Sequence, residues 1–436
     1  MIFLFQNKKE LTNFSNCDDV NSSGINRFTA SPLVSTLRHS FSKRYSFSNP
    51  ATFDSFNNRT KYKSYIVPSG VTHSPWDWAG HAELEKNYMT SNRNSVFFYI
   101  DQELLTDLQS KKAYLLLDQS HEGYHEEWLF YWFHYCCTVY KIPISQIIYV
   151  TGNLSVETQY ADWCKRNNTS ERMCVIPHIQ FERFTYDSVT QQLKILPTVS
   201  EHIRYKTANE STVLTYNCFQ KRARPHRIWL FHALWKNNLL SDGINSMNSF
   251  FKNNSYYEEK LITDEDYEQM VKLLPMFPRS NMDDTLKQDF KGTSADSFVR
   301  DLYHIETRNS WVSIVSEASF AERTCFISEK TFKPIAARHP FILYGNKHSL
   351  RYIRELGYKT FDGVIDESYD ELDSWERLDA IIKQIQIIKN MSHSKKIEWF
   401  ESMRAILDYN FEVLKNNSIK QPSSVSKVRE YALQPN

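Results

Sequence analysis

The chain has 436 residues, with 52 Lys+Arg against 51 Asp+Glu and a net charge of +1. So even a balance excludes a protein that coats nucleic acid through bulk positive charge, although local basic patches remain open. The seven cysteines are scattered, with no CxxC pair and no Cys/His grouping at zinc spacing, which excludes a disulfide framework and a zinc module.

Apolar residues make up 41% of the sequence, enough to build real cores, and the length favours two domains. No run of 18 apolar residues occurs, so no membrane partner is expected, and the reduced-type cysteines fit the cytoplasm. There are only 10 glycines, and neither GxGxxG nor GxxxxGK[ST] is present. Any phosphate must therefore be gripped by side chains and helix N-termini.

In chain order, Met1–Phe5 reads as a short buried strand, followed by an Asn- and Ser-rich loop to about residue 60. Tyr65–Pro68 is extended. Ser74–Gly80 is a turn carrying Trp76 and Trp78, either a stacking loop for an acceptor or a packed surface loop. Ser95–Tyr99 and Ala113–Leu117 are apolar strand-type runs, the second ending in Asp118-Gln119-Ser120-His121-Glu122-Gly123. An aromatic helix over Glu126–Tyr140, a strand Gln146–Val150, a helix Ser155–Asn167 and a strand Met173–Pro177 follow. The pattern fades from Phe181 to Lys206, where Pro197 marks a connection.

A strand restarts at Ser211–Asn217, and a basic run with Arg222, Arg224 and Arg227 leads straight into a helix. A charge run is usually a solvated face. This one stands at a strand's carboxyl end, where open α/β sheets bind ligands. Residues 244–310 read as an insertion with one helical piece near Asp264–Leu274. Trp311–Val315 is a strand ending in Ser316-Glu317. Ser328-Glu329-Lys330 then precedes a helix over Thr331–Arg338, with Pro334 placed in its first turn. Strands Pro340–Tyr344 and Lys359–Phe361 flank a helix at Ser349–Leu356. Amphipathic helices at Glu371–Lys389 and Lys395–Asn416 lead to a loose tail over 420–436.

Strand–helix alternation in both halves predicts an α/β protein of two Rossmann-like domains facing a cleft. The expected division is an acceptor-side domain 1–205, a donor domain 206–390 and a C-terminal helix and tail 391–436. This arrangement resembles the GT-B glycosyltransferases. Within 212–367 the sequence is similar to the donor domain of the α-1,3-fucosyltransferase family. Tyr216-Asn217-Cys218 before Arg222, Arg224 and Arg227 stands for that family's Ser-Asn-Cys and its following arginine. Val315-Ser316-Glu317-Ala318-Ser319, Ser328-Glu329-Lys330 and His339–Gly345 stand for its Phe-Glu-Asn-Ser, Thr-Glu-Lys and Val-Pro-Val-Val-x-Gly segments. The wording around Lys330–Ile335 also resembles uncharacterised proteins of large tailed phages.

The resemblance implies an inverting sugar transfer from a nucleotide sugar, which is a co-substrate rather than a cofactor. Arg224, Arg227 and Lys330 would hold the diphosphate with charge-assisted bonds of roughly 1.5–3 kcal/mol each. Ser328 and Glu329 would line the same donor site, Glu329 accepting from sugar or ribose hydroxyls. Glu317 would do likewise or orient the lysine. The base would come from the first half. Asp118 aligns with the family's glutamate, with Glu122 as the alternative and His121 as a third acceptor-side group; Asp118 as a mere helix cap is the competing reading. No DxD motif marks a metal at the donor position. The acceptor is a glycan or a hydroxymethylated pyrimidine of phage DNA. A non-catalytic sugar- or nucleotide-binding viral protein is the alternative.

Overall fold

The computed structural model describes residues 63–70, 102–120, 127–192, 197–220, 224–247, 262–274, 304–320, 324–420 and 423–433, besides three isolated positions. The expected elements at Met1–Phe5 and Ser95–Tyr99, and the residues Trp76, Trp78, His121, Glu122 and Arg222, lie outside them. Two compact units emerge: Met1–Gln180 with Gln421–Asn436, and Phe181–Lys420. The sequence reading set the division at 205/206, whereas the units part at 180/181.

Unit 1 carries a wholly parallel sheet of β1 (Tyr65–Gly70), β2 (Ala113–Gln119), β3 (Ile147–Thr151) and β4 (Cys174–Pro177), paired in that order. Parallel neighbours need crossovers. α1 (Gln102–Gln109), α2 (Glu127–Val139) and α3 (Val156–Arg166) supply them. Alternation along the strands sends odd-numbered side chains to one face. There Leu115, Leu117, Ile147 and Tyr149 pack with Leu104, Leu108, Phe133 and Trp163. Even-numbered Leu116, Ile148, Val150 and Ile176 meet Val428 and Ala432 on the opposite face. Those two residues belong to a helix over Ser423–Leu433, so this part of the expected loose tail is ordered. It is ordered because Val428 and Ala432 fill an apolar sheet face that would otherwise meet water.

Unit 2 begins with α4 (Phe181–Gln192) and α5 (Val199–Ala208), where the sequence pattern had faded. The start of α5 is a capping box: Thr198 Oγ1 accepts from Glu201 N–H, and Glu201 accepts from Thr198 N–H. The second parallel sheet runs β6 (Gly243–Met247), β5 (Leu214–Gln220), β7 (Ser310–Ser316), β8 (Phe341–Tyr344). β6 falls inside the stretch read as an insertion. Four helices cross between or flank these strands: α6 (Pro225–Lys236), α7 (Asp264–Leu273), α8 (His304–Arg308) and α9 (Glu329–Ala336). Because β5 is flanked by β6 and β7, the winding reverses between β5 and β7, the place where ligands bind in such sheets.

Three further corrections have local causes. Ser328 caps α9 through Lys330 N–H, so the helix begins at Glu329 and Pro334 falls inside it rather than in its first turn. Lys359–Phe361 forms no strand. The Asn410 side chain takes the Lys359 N–H and C=O at 2.8 and 2.7 Å, and Glu367 takes the Phe361 N–H at 2.6 Å. Backbone groups already paired to side chains have nothing to offer a strand neighbour. Finally, 395–416 is two helices broken at Met403. After α10 (Ser349–Glu355) and α11 (Ser374–Asn390), α12 (His393–Ser402) and α13 (Arg404–Ile419) complete the unit. The helix at Ser423–Leu433 is α14.

Candidate functional site

Two features of the sequence gather charge at the carboxyl ends of β5 and β7. β5 runs out into Arg224-Pro225-His226-Arg227, and Pro225 at the first position of α6 starts that helix without needing an N–H. β7 runs out into Glu317, buried with no exposed surface. The Glu317 carboxylate is fully engaged by the chain. It accepts from Ser328 N–H at 3.1 Å, Ser328 Oγ at 2.5 Å, Thr331 Oγ1 at 2.6 Å and Ala318 N–H at 3.0 Å. An anion is favoured at a helix N-terminus. At α9 that anion is the protein's own glutamate. Glu317 therefore builds the loop between β7 and α9, and a phosphate would have to be met by side chains beside it.

The loop backbone is held from the other side by α6. His226 donates to Glu317 O at 3.0 Å, and Arg227 Nη2 donates to Ser316 O at 3.2 Å and Glu317 O at 3.0 Å. Arg224 Nη1 donates to Ala318 O. Burial, then the neighbouring Arg224 charge, brings the Arg227 guanidinium down to about 10. Burial and the Arg227 charge hold His226 well below its ordinary range, so it is neutral. Its ring stacks on Phe320 with centroids 5.0 Å apart.

Lys330 keeps 23% of its side chain exposed; its Nζ donates to Glu329 Oε1 at 2.7 Å and Ser328 Oγ at 3.2 Å. Burial would raise the Glu329 carboxyl, but the Lys330 and Lys333 charges outweigh it and hold the group below its usual value. Arg224, Arg227 and Lys330 all act electrostatically on His226, and each donates to the stretch between Ser316 and Glu329. The structure thus gathers Arg224, Arg227, Glu317, Ser328, Glu329 and Lys330 around the switch point of one sheet. Of these, Arg224 and Lys330 are the cations with exposed surface.

Sequence reasoning passed over two members of this cluster. Arg377 of α11 is buried and donates to Gly345 O at 2.5 Å and Leu372 O at 2.8 Å, fixing the loop after β8. Asn346 Oδ1 accepts from Phe326 N–H at 3.3 Å, and its Nδ2 donates to Thr324 Oγ1 at 3.1 Å. Asn346 had a readable signal, since it follows a strand-ending glycine; Arg377, inside an amphipathic helix, had none.

Gly345 lies close to Glu317, where an added Cβ would come 3.0 Å from the Glu317 Cβ. Beneath the loop a cavity of about 50 Å³ is lined by Asn217, Ser313, Val315, Ser316, Lys330 and Lys333. That is room for a few waters, not for a nucleotide. A larger hollow of about 590 Å³ lies in unit 1 beside Lys111, His134 and Ser145, at the amino ends of its strands.

In unit 1 the carboxyl end of β2 places Asp118, 1% exposed, with its Oδ1 accepting from Ser120 N–H at 2.8 Å. The acid thus closes an Asx turn of its own loop and does not cap α2, which starts at Glu127. His178 follows β4 and feels the Asp118 charge. Among the described residues no helix is long and apolar enough to cross a membrane, and no three His, Cys, Asp or Glu side chains gather as a metal site.

No protein-family model matches the chain, and no curated protein does. Among solved structures it is similar to the Candida albicans trehalose-6-phosphate phosphatase N-terminal domain, at 9% identity and a TM-score of 0.42 over 99% of this chain and 98% of that one. It is also similar to an alpha,alpha-trehalose-phosphate synthase (UDP-forming) from Burkholderia vietnamiensis, at 9% identity and a TM-score of 0.35 over 96% and 83%. Likenesses this loose carry no argument about activity.

Proposed function

We propose that the chain is a glycosyltransferase of the GT-B type that moves a sugar from a nucleotide-sugar donor to an acceptor hydroxyl with inversion. The observation that carries this reading is the gathering of Arg224, Arg227 and Lys330 on the loop after β7, at the switch point of unit 2. A nucleotide-sugar leaving group is a diphosphate whose negative charge grows as the bond to the sugar breaks. Fixed cations stabilise that growing charge, and preorganised electrostatics of this kind is usually the largest catalytic contribution. Arg224 and Lys330 would touch the diphosphate. Glu317, Ser328 and Arg227 hold the loop that aims them, and Glu329 sets the position of the Lys330 ammonium.

In the transfer, the acceptor oxygen bonds to the anomeric carbon as the bond from that carbon to the diphosphate breaks. The electron pair goes to the diphosphate oxygen. The acceptor proton passes to the acid–base group at the carboxyl ends of the unit 1 strands, where Asp118 lies. The near-zero net charge favours a glycan hydroxyl as acceptor over a pyrimidine of DNA.

The test is a thermal-shift screen against a panel of nucleotide sugars. A true donor at about 100 times its Kd stabilises by roughly 2.7 kcal/mol. Lys330→Ala should weaken that response and cut turnover about 10- to 100-fold, the equivalent of one lost charge-assisted bond. No response to any donor sinks the reading. Retention of duplex DNA that collapses with added salt moves the acceptor from glycan to nucleic acid.

A further inference from the structure

The carboxyl ends of the unit 1 strands hold a group that the transfer has not yet used. Asp118, Val150 and Ile176 stand level across β2, β3 and β4. The ladder continues past the strands, with Gly152 N–H donating to Gln119 O at 3.4 Å and His178 N–H to Thr151 O at 2.8 Å. Ser120, Gly152 and His178 therefore form the next row. Alternation puts Asp118 and His178 on the same face, the one that α14 covers. The residue between Ser120 and His178 is glycine, which places no side chain there.

His178 is 3% exposed, and its two ring nitrogens have opposite circumstances. Nδ1 lies 2.7 Å from Ser424 Oγ of α14. Nε2 is buried and, among the described residues, has no hydrogen-bond partner. A buried polar atom left unpaired in a folded protein calls for a reason, and a catalytic role is one of them. When Nδ1–H donates to Ser424, Nε2 keeps its lone pair. Among the charged groups around it, Asp118 on β2 is the one whose charge favours the imidazolium, against the burial that holds the ring at about 4. On α14, Lys427 is already paired with Glu157 of α3 at 2.7 Å.

We propose that His178 Nε2 takes the acceptor hydroxyl proton, with Asp118 supplying the negative charge that stabilises the imidazolium and Ser424 fixing the ring. The proposal rests on the sugar-transfer reading and divides the work within its acid–base group. The proton leaves the acceptor oxygen as that oxygen bonds to the anomeric carbon, and it is later lost from Nε2 to water.

The experiment compares wild type, His178→Gln, Asp118→Asn and Ser424→Ala with the donor found by the screen and a simple glycan acceptor. His178→Gln should lower kcat about 10²- to 10⁴-fold while leaving the donor-induced thermal shift unchanged. Asp118→Asn should move the acid limb of the kcat/KM profile to lower pH, a displacement that a merely structural residue would not cause. Should His178→Gln fail to fold, nitrogen NMR of the labelled wild-type protein reads the tautomer directly, with Nδ1 protonated and Nε2 bare at neutral pH. A proton on Nε2, or full turnover by folded His178→Gln, overturns the proposal and leaves the sugar-transfer reading standing. Absence of donor response and turnover in the wild type overturns both.

Discussion

The two sheets end in polar side chains in contrasting ways. In unit 2 the charged groups at the strand ends are tied to one another and to the backbone. Glu317 takes four hydrogen bonds, and Arg227 and His226 hold the same loop carbonyls. At the corresponding end of unit 1, among the described residues, the His178 ring is pinned at one nitrogen and has no hydrogen-bond partner at the other. A rigid charged frame suits the holding of a diphosphate, whose charge must meet dipoles already in place. An unpaired ring nitrogen suits a proton transfer, which needs a site with capacity to spare. The contrast can be broken or sharpened by perturbing each end separately.

The largest effect should come from removing α14. A chain ending at Lys420 uncovers Leu116, Ile148, Val150 and Ile176, which pack against Val428 and Ala432. At about 1.5–3 kcal/mol for each large apolar side chain exposed, unit 1 should lose 5 kcal/mol or more and its cooperative unfolding transition. Calorimetry should show the unit 2 transition in place. A surviving unit 1 transition would mean that the sheet face is covered some other way.

Glu317→Ala comes next. It strands Ser328 N–H, Ser328 Oγ and Thr331 Oγ1 in a buried place, and a loss of about 3–5 kcal/mol in unit 2 is expected by chemical denaturation. Unaltered stability would make Glu317 a group reserved for ligand, and the contrast between the ends would fail.

The same residues show how far the sequence could be read. Strand–helix alternation, the run Arg224–Arg227 at a strand end and the sequence Ser328-Glu329-Lys330 identified the switch-point cluster, because each is a local pattern. What Glu317 does was not legible: its partners at 328 and 331 form a helix cap, and the same acid with free oxygens would read identically. α14 was hidden because its few apolar residues are scattered among serines and charges, and its order comes from a sheet face of unit 1 that Val428 and Ala432 cover. α5 should have been seen, since Thr198 and Glu201 have capping-box spacing. His178 is a lone histidine in the sequence. Only the register of β2, β3 and β4 sets it on the same sheet face as Asp118.

Acid should destabilise unit 1 by a smaller margin. Burial lowers His134 and His178 of unit 1 to about 4. Unfolded, each titrates near about 6.5, so the unfolded state binds more protons between those values and stability falls as the pH drops through that window. The fully buried His178 contributes at most about 1.4 kcal/mol per pH unit, and the half-buried His134 less because water screens it. Unit 2 has His202 lowered to about 4 and His226 and His339 lowered as well, all chiefly by burial. There the effect is opposed, because burial raises Glu182, Glu367 and Asp370, whose protonation favours the folded state as the pH falls. Calorimetry at pH 7 and pH 5 should show the unit 1 transition moving down as the pH falls. A transition that does not move would mean that burial does not hold these two rings neutral.

Lys330→Ala should have the smallest effect on folding and is the most telling for function. The ammonium is partly exposed, and an ion pair of that kind contributes about 1 kcal/mol or less. Glu329 stays beside Lys333, whose charge also holds its carboxyl low, so its burial does not become uncompensated. Stability should therefore change by about 1 kcal/mol while the response to donor falls much further. A unit 2 in which every cation were structural would lose folding and donor response together. Lys330 should separate the two, because the frame positions it without enclosing it.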